Sequence, residues 1–381
     1  MSLPTRPPLS LYIHIPWCVR KCPYCDFNSH QSDTELPIDD YVTALIQDLK
    51  NDRDFAYGRK LDSIFFGGGT PSLFPASAIK RIIDSAEALI GFQADIEITL
   101  EANPGTVEHH DFSELRDTGV NRLSLGVQSF NPQHLNALGR IHSSKEASNA
   151  VERAQAGGFD NINIDLMHGL PGQTLEHARS DLEHAFTLAP QHISWYQLTI
   201  EQNTEFFSKP PTLPQEDTLI DIMEMGMEVL TNAGYQQYEV SAFARPNQQA
   251  THNRNYWQFG DYLAIGAGAH GKITPENDEP TFRYRKTRQP NAYLDPSRDF
   301  TAHQAPIEDD NLALEFMMNA LRLNEGVTLS LFEARTGLHR TKIATQLNTL
   351  QQKGLLEPSN SAIIPSPTGR LFLNTLLESF T

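Results

Sequence analysis

The sequence predicts an α/β protein, a partial (β/α)6 TIM-like barrel with a small C-terminal winged-helix-like α+β domain. Three observations predict it. Six short apolar runs, rich in β-branched and aromatic residues, recur between residues 10 and 200. Amphipathic segments lie between them, which is the alternation of a parallel sheet with right-handed crossovers. After about residue 305 the pattern changes to three helical segments and a Pro/Ser-rich stretch.

The predicted strands are LYIHI (11–15), LDSIFF (61–66), DIEITLE (95–101), RLSLGVQ (122–128), NINIDL (161–166) and HISWYQL (192–198). Gly, Pro, Asn or Asp bound each one. The amphipathic segments fall at about 38–50, 74–90, 106–118, 131–138, 143–157 and 173–188. Six units do not complete an eight-fold barrel, so residues 201–304 must close or cover the open side. A helix is expected there at about 216–233 and a strand at Tyr238–Phe243, with 244–300 irregular. In 305–381, Gly337 and Gly354 stand where helices stop, and LLEPSNSAIIPSPTGRLFL reads as a two-stranded wing. The division is thus 1–200, 201–304 and 305–381.

Charge narrows the partners. The 381 residues carry 47 acidic and 30 basic side chains, net −17. Such a surface repels phosphate backbones, so nucleic acid is an unlikely partner. The C-terminal segment is itself slightly acidic, with eight Asp and Glu against six Lys and Arg, which favours a packing module or lid over a DNA reader. One basic cluster, Arg283, Arg285, Lys286 and Arg288, is either a solvated loop or a contact for a carboxylate-bearing ligand. No run approaches the roughly 20 apolar residues of a membrane span, and the N-terminus lacks a signal-peptide pattern. A cytoplasmic location is expected.

The three cysteines, Cys18, Cys22 and Cys25, all lie in LYIHIPWCVRKCPYCDFNSH. The spacing C-x3-C-x2-C directly after the first strand suits soft-metal or redox chemistry rather than a disulfide. A four-iron cluster takes four thiolates, so three leave one iron open to a substrate or cofactor. Lys21 and Arg20 are expected to favour thiolate. A zinc site completed by a remote histidine, or three free thiols, are the alternatives on spacing alone.

This loop, with Tyr24 before the last cysteine, resembles the radical S-adenosylmethionine superfamily. The resemblance implies a [4Fe-4S] cluster on Cys18, Cys22 and Cys25. Its open iron chelates S-adenosyl-L-methionine, and electron transfer cleaves the cofactor to a 5′-deoxyadenosyl radical. Further motifs, YIHIPWC, GGGTP, EANP, GVQS, LGRIH and DLMHGLPGQT, together resemble the branch that contains oxygen-independent coproporphyrinogen III oxidase and the heme chaperones. The cofactor contacts it implies are Tyr12, Tyr24, Gly68, Gly69, Thr70, Glu101, Gln128, Arg140 and Asp165. Most of these end predicted strands, where parallel barrels bind ligands, although each polar residue alone reads equally well as a helix cap.

Two departures weigh against the oxidase: Phe27 replaces a fourth cysteine, and the chain reaches Cys18 almost at once. A third feature, ATHNRNYWQF (250–259), resembles the HNxxYW motif of the heme chaperones. His252, Tyr256 and Trp257 are then expected to bind heme, His252 being one candidate iron ligand and His270 a second. On physics alone a histidine among aromatics is more often a satisfied core residue. The implied partners are heme, S-adenosylmethionine, an electron donor such as flavodoxin or ferredoxin, and an acceptor hemoprotein such as a membrane cytochrome. Oxidative decarboxylation of coproporphyrinogen is the competing function, and a winged-helix redox sensor on DNA a third.

Overall fold

The computed structural model describes residues 6–32, 35–106, 111–276 and 279–380. Strands β1 (Leu9–Ile15), β2 (Leu61–Gly68), β3 (Phe92–Ala102), β4 (Arg122–Gln128), β5 (Ile162–His168) and β6 (His192–Gln197) run parallel in chain order. This is the six-fold partial barrel the alternation predicts. The helices between them fall where the amphipathic segments lie, at Ile38–Asp52, Ala76–Leu89, Phe112–Asp117, Pro132–Ala137, Ser144–Ala156 and Leu175–Thr187. Residues 107–110 of the third segment lie outside the described residues.

Two-residue periodicity divides each strand between two environments. Leu11, Ile13 and Ile15 of β1 are fully buried in the same core as Tyr41, Leu45 and Leu49 of the first helix. Burial of each such side chain contributes roughly 1.5–3 kcal/mol. The alternate residues face the barrel interior, and many are polar: Ser10 and Ser63 touch at 2.8 Å, and Asp165 accepts from Ser124 at 2.9 Å.

The region expected to be irregular is where the structure departs most from the sequence reading. It holds β9 (Asp261–Ile265), β10 (His270–Ile273) and β11 (Phe282–Lys286), preceded by the expected helix, Glu216–Asn232, and by β7 (Gln236–Glu239) and β8 (Ala242–Ala244) in place of one strand. Strand β9 pairs parallel with the free edge of β1. Strands β10, β11 and β12 (Thr301–Pro306) then add antiparallel. Among the described residues the sheet has twelve strands, ordered β12-β11-β10-β9-β1-β2-β3-β4-β5-β6-β8-β7. The short helix Thr251–Trp257 lies across the base of the barrel, where the Glu97 carboxylate accepts from the backbone N–H of Thr251 (2.9 Å) and of His252 (3.0 Å). This satisfies donors that a helix start otherwise leaves orphaned.

The C-terminal segment has its own core around Phe316, Phe332, Leu350 and Leu376. Its helices end at Gly337 and Gly354, both left-handed (φ 70 and 69). The wing is smaller than expected. Ala362–Ile363 pairs with Val327–Thr328, and the tail from Pro367 is helical. No described helix is long and apolar enough to cross a membrane.

Candidate functional site

The cysteine loop leaves the top of β1 and is pinned there by backbone bonds. Gly69 N–H donates to Ile15 O and Thr70 N–H to Trp17 O, both at 2.7 Å. Trp17–Cys18 also pairs with His30–Gln31, closing the loop at its neck. Gly69 is required here, because a Cβ would lie 2.4 Å from the Trp17 carbonyl oxygen. Gly68 is required too: its φ is +112, and a Cβ would lie 2.5 Å from the His14 ring.

All three thiols are half-buried and free of disulfides. Burial pushes the Cys18 and Cys25 thiols up, outweighing the influence of Lys21 on Cys25. Lys21 thus acts on Cys25 in the expected direction, toward thiolate, while burial acts the other way. Lys21 also ties the loop, donating to the Phe27 and Ser29 carbonyls at 3.2 Å. The charge of a bound metal is what would deprotonate these thiols. Among the described residues no three His, Cys, Asp or Glu side chains converge to hold one metal ion. Thiols spread along one loop suit a cluster, which takes one sulfur at each iron corner.

The strand ends bring the remaining predicted residues around this loop. Glu101 Oε2 accepts from Gly68 N–H at 3.2 Å. Burial, then the neighbouring Asp165, lifts the Glu101 carboxyl to about 8. Asp165 is likewise raised by burial, though Asn163 and Ser124 hydrogen-bond it. Arg140 points Nη1 at Cys22 Sγ (3.6 Å) and Nη2 at the Gly126 carbonyl, while its buried Nε has no partner. Gln128 holds a left-handed backbone (φ 68) and accepts from Tyr196 at 2.8 Å. A non-glycine residue there is sparsely populated and marks a constrained rim. Orphaned Arg140 Nε and the half-buried carboxyl of Glu101 fit a ligand carrying both carboxylate and amino groups. Tyr24 packs on Phe206, its hydroxyl pushed up by burial. Thr70 hydrogen-bonds the Cys18 thiol.

Beside this rim a lateral cavity of about 1150 Å³ opens between the cysteine loop, β10–β11 and the helix Asp309–Ala320. It exceeds the roughly 300–1,000 Å³ of ordinary ligand pockets. Tyr12 and His14 form its inner wall, and Phe27, 61% exposed, stands at its rim. The Asn28 carbonyl can only accept from His14 Nε2 (2.9 Å), so His14 Nδ1 accepts from Tyr12 (3.0 Å). Tyr256 and Trp257 also line the cavity, with Arg283, Arg285 and Arg288. Lys286, grouped with these arginines in the sequence, borders the cavity, but its ammonium is buried against Asp48 (2.6 Å) and Asp52 (2.7 Å). Arg283, Arg285 and Lys286 lie in β11, between β10 and β12, rather than in a solvated loop.

His252 does not reach the cavity. Its ring is 1% exposed, stacks on Phe65 at 5.0 Å, and has both nitrogens engaged, with Ser63 Oγ at 2.9 Å and Tyr256 Oη at 3.0 Å. As one of the two candidate iron ligands, His252 has both ring nitrogens occupied by hydrogen bonds, which leaves no nitrogen facing the cavity. Sequence reasoning also passed over Tyr196, His14 and Asn28. Two-residue alternation in HISWYQL and LYIHI was a usable signal for the first two. Nothing local marked Asn28.

Comparison with known proteins identifies the class of the chain. The family model of the radical SAM superfamily matches residues 12–185, and that of the HemN C-terminal domain matches residues 307–372. The fold and the three-cysteine loop define a radical S-adenosylmethionine protein. Within that class the chain belongs to the HemW family. It is 51% identical to the heme chaperone HemW of Haemophilus influenzae over 99% of both chains, and 51% identical to that of Escherichia coli over 98% of both. The solved structure of coproporphyrinogen III oxidase (HemN) from Escherichia coli, a radical SAM enzyme, matches with a TM-score of 0.83 at 25% identity. It covers 98% of this chain and 90% of that one.

Proposed function

We propose that this protein is a heme chaperone. It carries heme in the lateral cavity, holds a [4Fe-4S] cluster and S-adenosylmethionine at the barrel mouth, and releases heme to an acceptor hemoprotein such as a membrane cytochrome. The observation that carries the reading is the cavity itself. It sets the rings of Tyr256 and Trp257 beside an arginine-bearing strand face, directly against the cysteine loop. Aromatic faces pack on a porphyrin plane, and arginine forks pair with carboxylates.

Cys18, Cys22 and Cys25 would hold the cluster, whose open iron, with the cofactor bound, supplies one-electron chemistry. The chain's own residues do the positioning. Arg140 Nε offers a donor to the cofactor's carboxylate. Glu101 and Asp165 offer acceptors to its amino and ribose groups. Tyr12, Tyr24, Gly68, Gly69, Thr70 and Gln128 shape the wall around it. Reduction of the cluster calls for an electron donor such as flavodoxin or ferredoxin. The likeness to coproporphyrinogen oxidase keeps decarboxylation as the second reading, but Phe27 presents an exposed ring at the cavity rim where that pattern has a thiol.

The test is heme delivery. Heme-loaded protein is mixed with membranes holding an apo-cytochrome, and oxidase activity is followed against free heme at equal concentration. Faster recovery supports the chaperone. Recovery no faster than with free heme, together with anaerobic conversion of coproporphyrinogen to protoporphyrinogen, would establish the oxidase instead.

A further inference from the structure

Resting on the heme-carrier reading, the geometry points to His270 as the axial ligand of the cargo iron and to Arg285 as the partner of the cargo's carboxylates. His252 is then a positioning residue for Tyr256.

His270 opens β10 and sits in register opposite Arg285 of β11. Opposed residues of an antiparallel pair project from the same face, their Cβ atoms about 4.5–5.5 Å apart. Both side chains line the cavity. The His270 ring has no hydrogen-bond partner among the described residues, in contrast to His252. Burial, reinforced by Arg285 and Arg283, lowers its pKa, which keeps the imidazole neutral and its lone pair free. Neutral imidazole is the form that ligates metal.

The arginines divide in the same way. Arg283 is committed to Glu315 (2.7 Å) and the Tyr262 hydroxyl (2.8 Å). Arg288 Nε donates to Asn28 Oδ1 at 3.0 Å. Arg285 makes no ion pair or hydrogen bond among the described residues, so its whole fork is available in the cavity. One free imidazole and one free guanidinium on adjacent strands suit a flat iron chelate that carries carboxylates at its edge.

His252 acts at a distance. Asn255 Nδ2 donates to Ser10 Oγ (2.9 Å), Ser10 touches Ser63 (2.8 Å), and Ser63 reaches His252 Nδ1 (2.9 Å). Run in that direction, the chain leaves His252 Nε2–H to donate to Tyr256, fixing the ring that lines the cavity.

The experiment titrates ferric heme into the full chain, read by absorption and paramagnetic resonance, for wild type, His270→Ala, Arg285→Gln and His252→Gln. Circular dichroism verifies folding. Wild type is expected to give a saturable Soret band with a histidine-ligated signature. His270→Ala loses that signature and about tenfold or more in affinity, and added imidazole restores the band. Arg285→Gln weakens heme about tenfold but leaves heme dimethyl ester unchanged. His252→Gln keeps the histidine signature. An unchanged spectrum in His270→Ala, or a loss that imidazole does not restore, overturns the ligand assignment. Loss of the signature in His252→Gln alone, or a tyrosinate signature in wild type, overturns it as well. Equal weakening of heme and its ester by Arg285→Gln overturns the carboxylate role. Absence of any saturable band in wild type refutes the carrier reading itself.

Discussion

Replacing Glu101 by glutamine tests the electrostatics of the barrel mouth. The Glu101 carboxyl is half-buried and lifted from 4.5 to about 8, first by burial and then by Asp165, with only the Gly68 N–H holding it down. A carboxyl raised on folding binds more protons in the folded than in the unfolded chain between those two values. Stability therefore falls as pH rises from 4.5 to about 8, and stays low above it. A rise of that size corresponds to about 5 kcal/mol. In a chain of this length it amounts to a melting-point difference of about 6 °C. Glutamine is neutral throughout and escapes the loss. Scanning calorimetry of cofactor-free wild type and Glu101→Gln from pH 5 to 9 should show curves that meet near pH 5 and separate by several degrees at pH 9, the variant higher. Asp165→Asn should narrow the separation by removing the second cause. Parallel curves at all pH values would refute the reasoning.

Other outcomes follow from single contacts. Gly68→Ala drives a Cβ into His14 at a left-handed position, so anaerobic reconstitution should incorporate far less iron, by elemental analysis. Cys22→Ala should abolish cluster assembly in the same assay. Lys286→Met leaves Asp48 and Asp52 buried without their cation and should cost about 3–5 kcal/mol, seen as a lower melting temperature. Lys286 borders the cavity, but its ammonium is held by Asp48 and Asp52, so heme affinity of the folded fraction should stay close to wild type. Tyr256→Phe removes the hydroxyl that meets His252 and should weaken heme severalfold in an absorption titration while retaining the histidine signature.

The six strands were legible because each is a short run rich in β-branched or aromatic residues between turn residues. RLSLGVQ (122–128) coincides end to end with β4. The third part of the chain was legible through its glycine stops. Residues 244–300 were not, and the reason is physical. Strand β11 reads FRYRK, in which Phe282 and Tyr284 face the core, Arg283 and Arg285 the cavity, and Lys286 a buried ion pair. Charge on both faces hides the alternation that a hydrophobicity pattern detects. The short run Asp261–Ile265 is a strand because β1 offers it an open edge, a condition local sequence does not record. Within the site, the cysteine loop was visible from spacing alone. His252 stands out in the sequence, yet its ring is spent inside the barrel, whereas His270 is marked only by its place opposite Arg285.

One measurement bears on the whole account. Anaerobically reconstituted protein, carrying about four iron and four sulfide per chain, is titrated with heme while the Soret and iron–sulfur absorptions are recorded together. Separate adjacent sites predict a Soret band that saturates near one heme per chain with the iron–sulfur absorption retained. No saturable band, or heme bound only as the cluster is lost, would contradict the account.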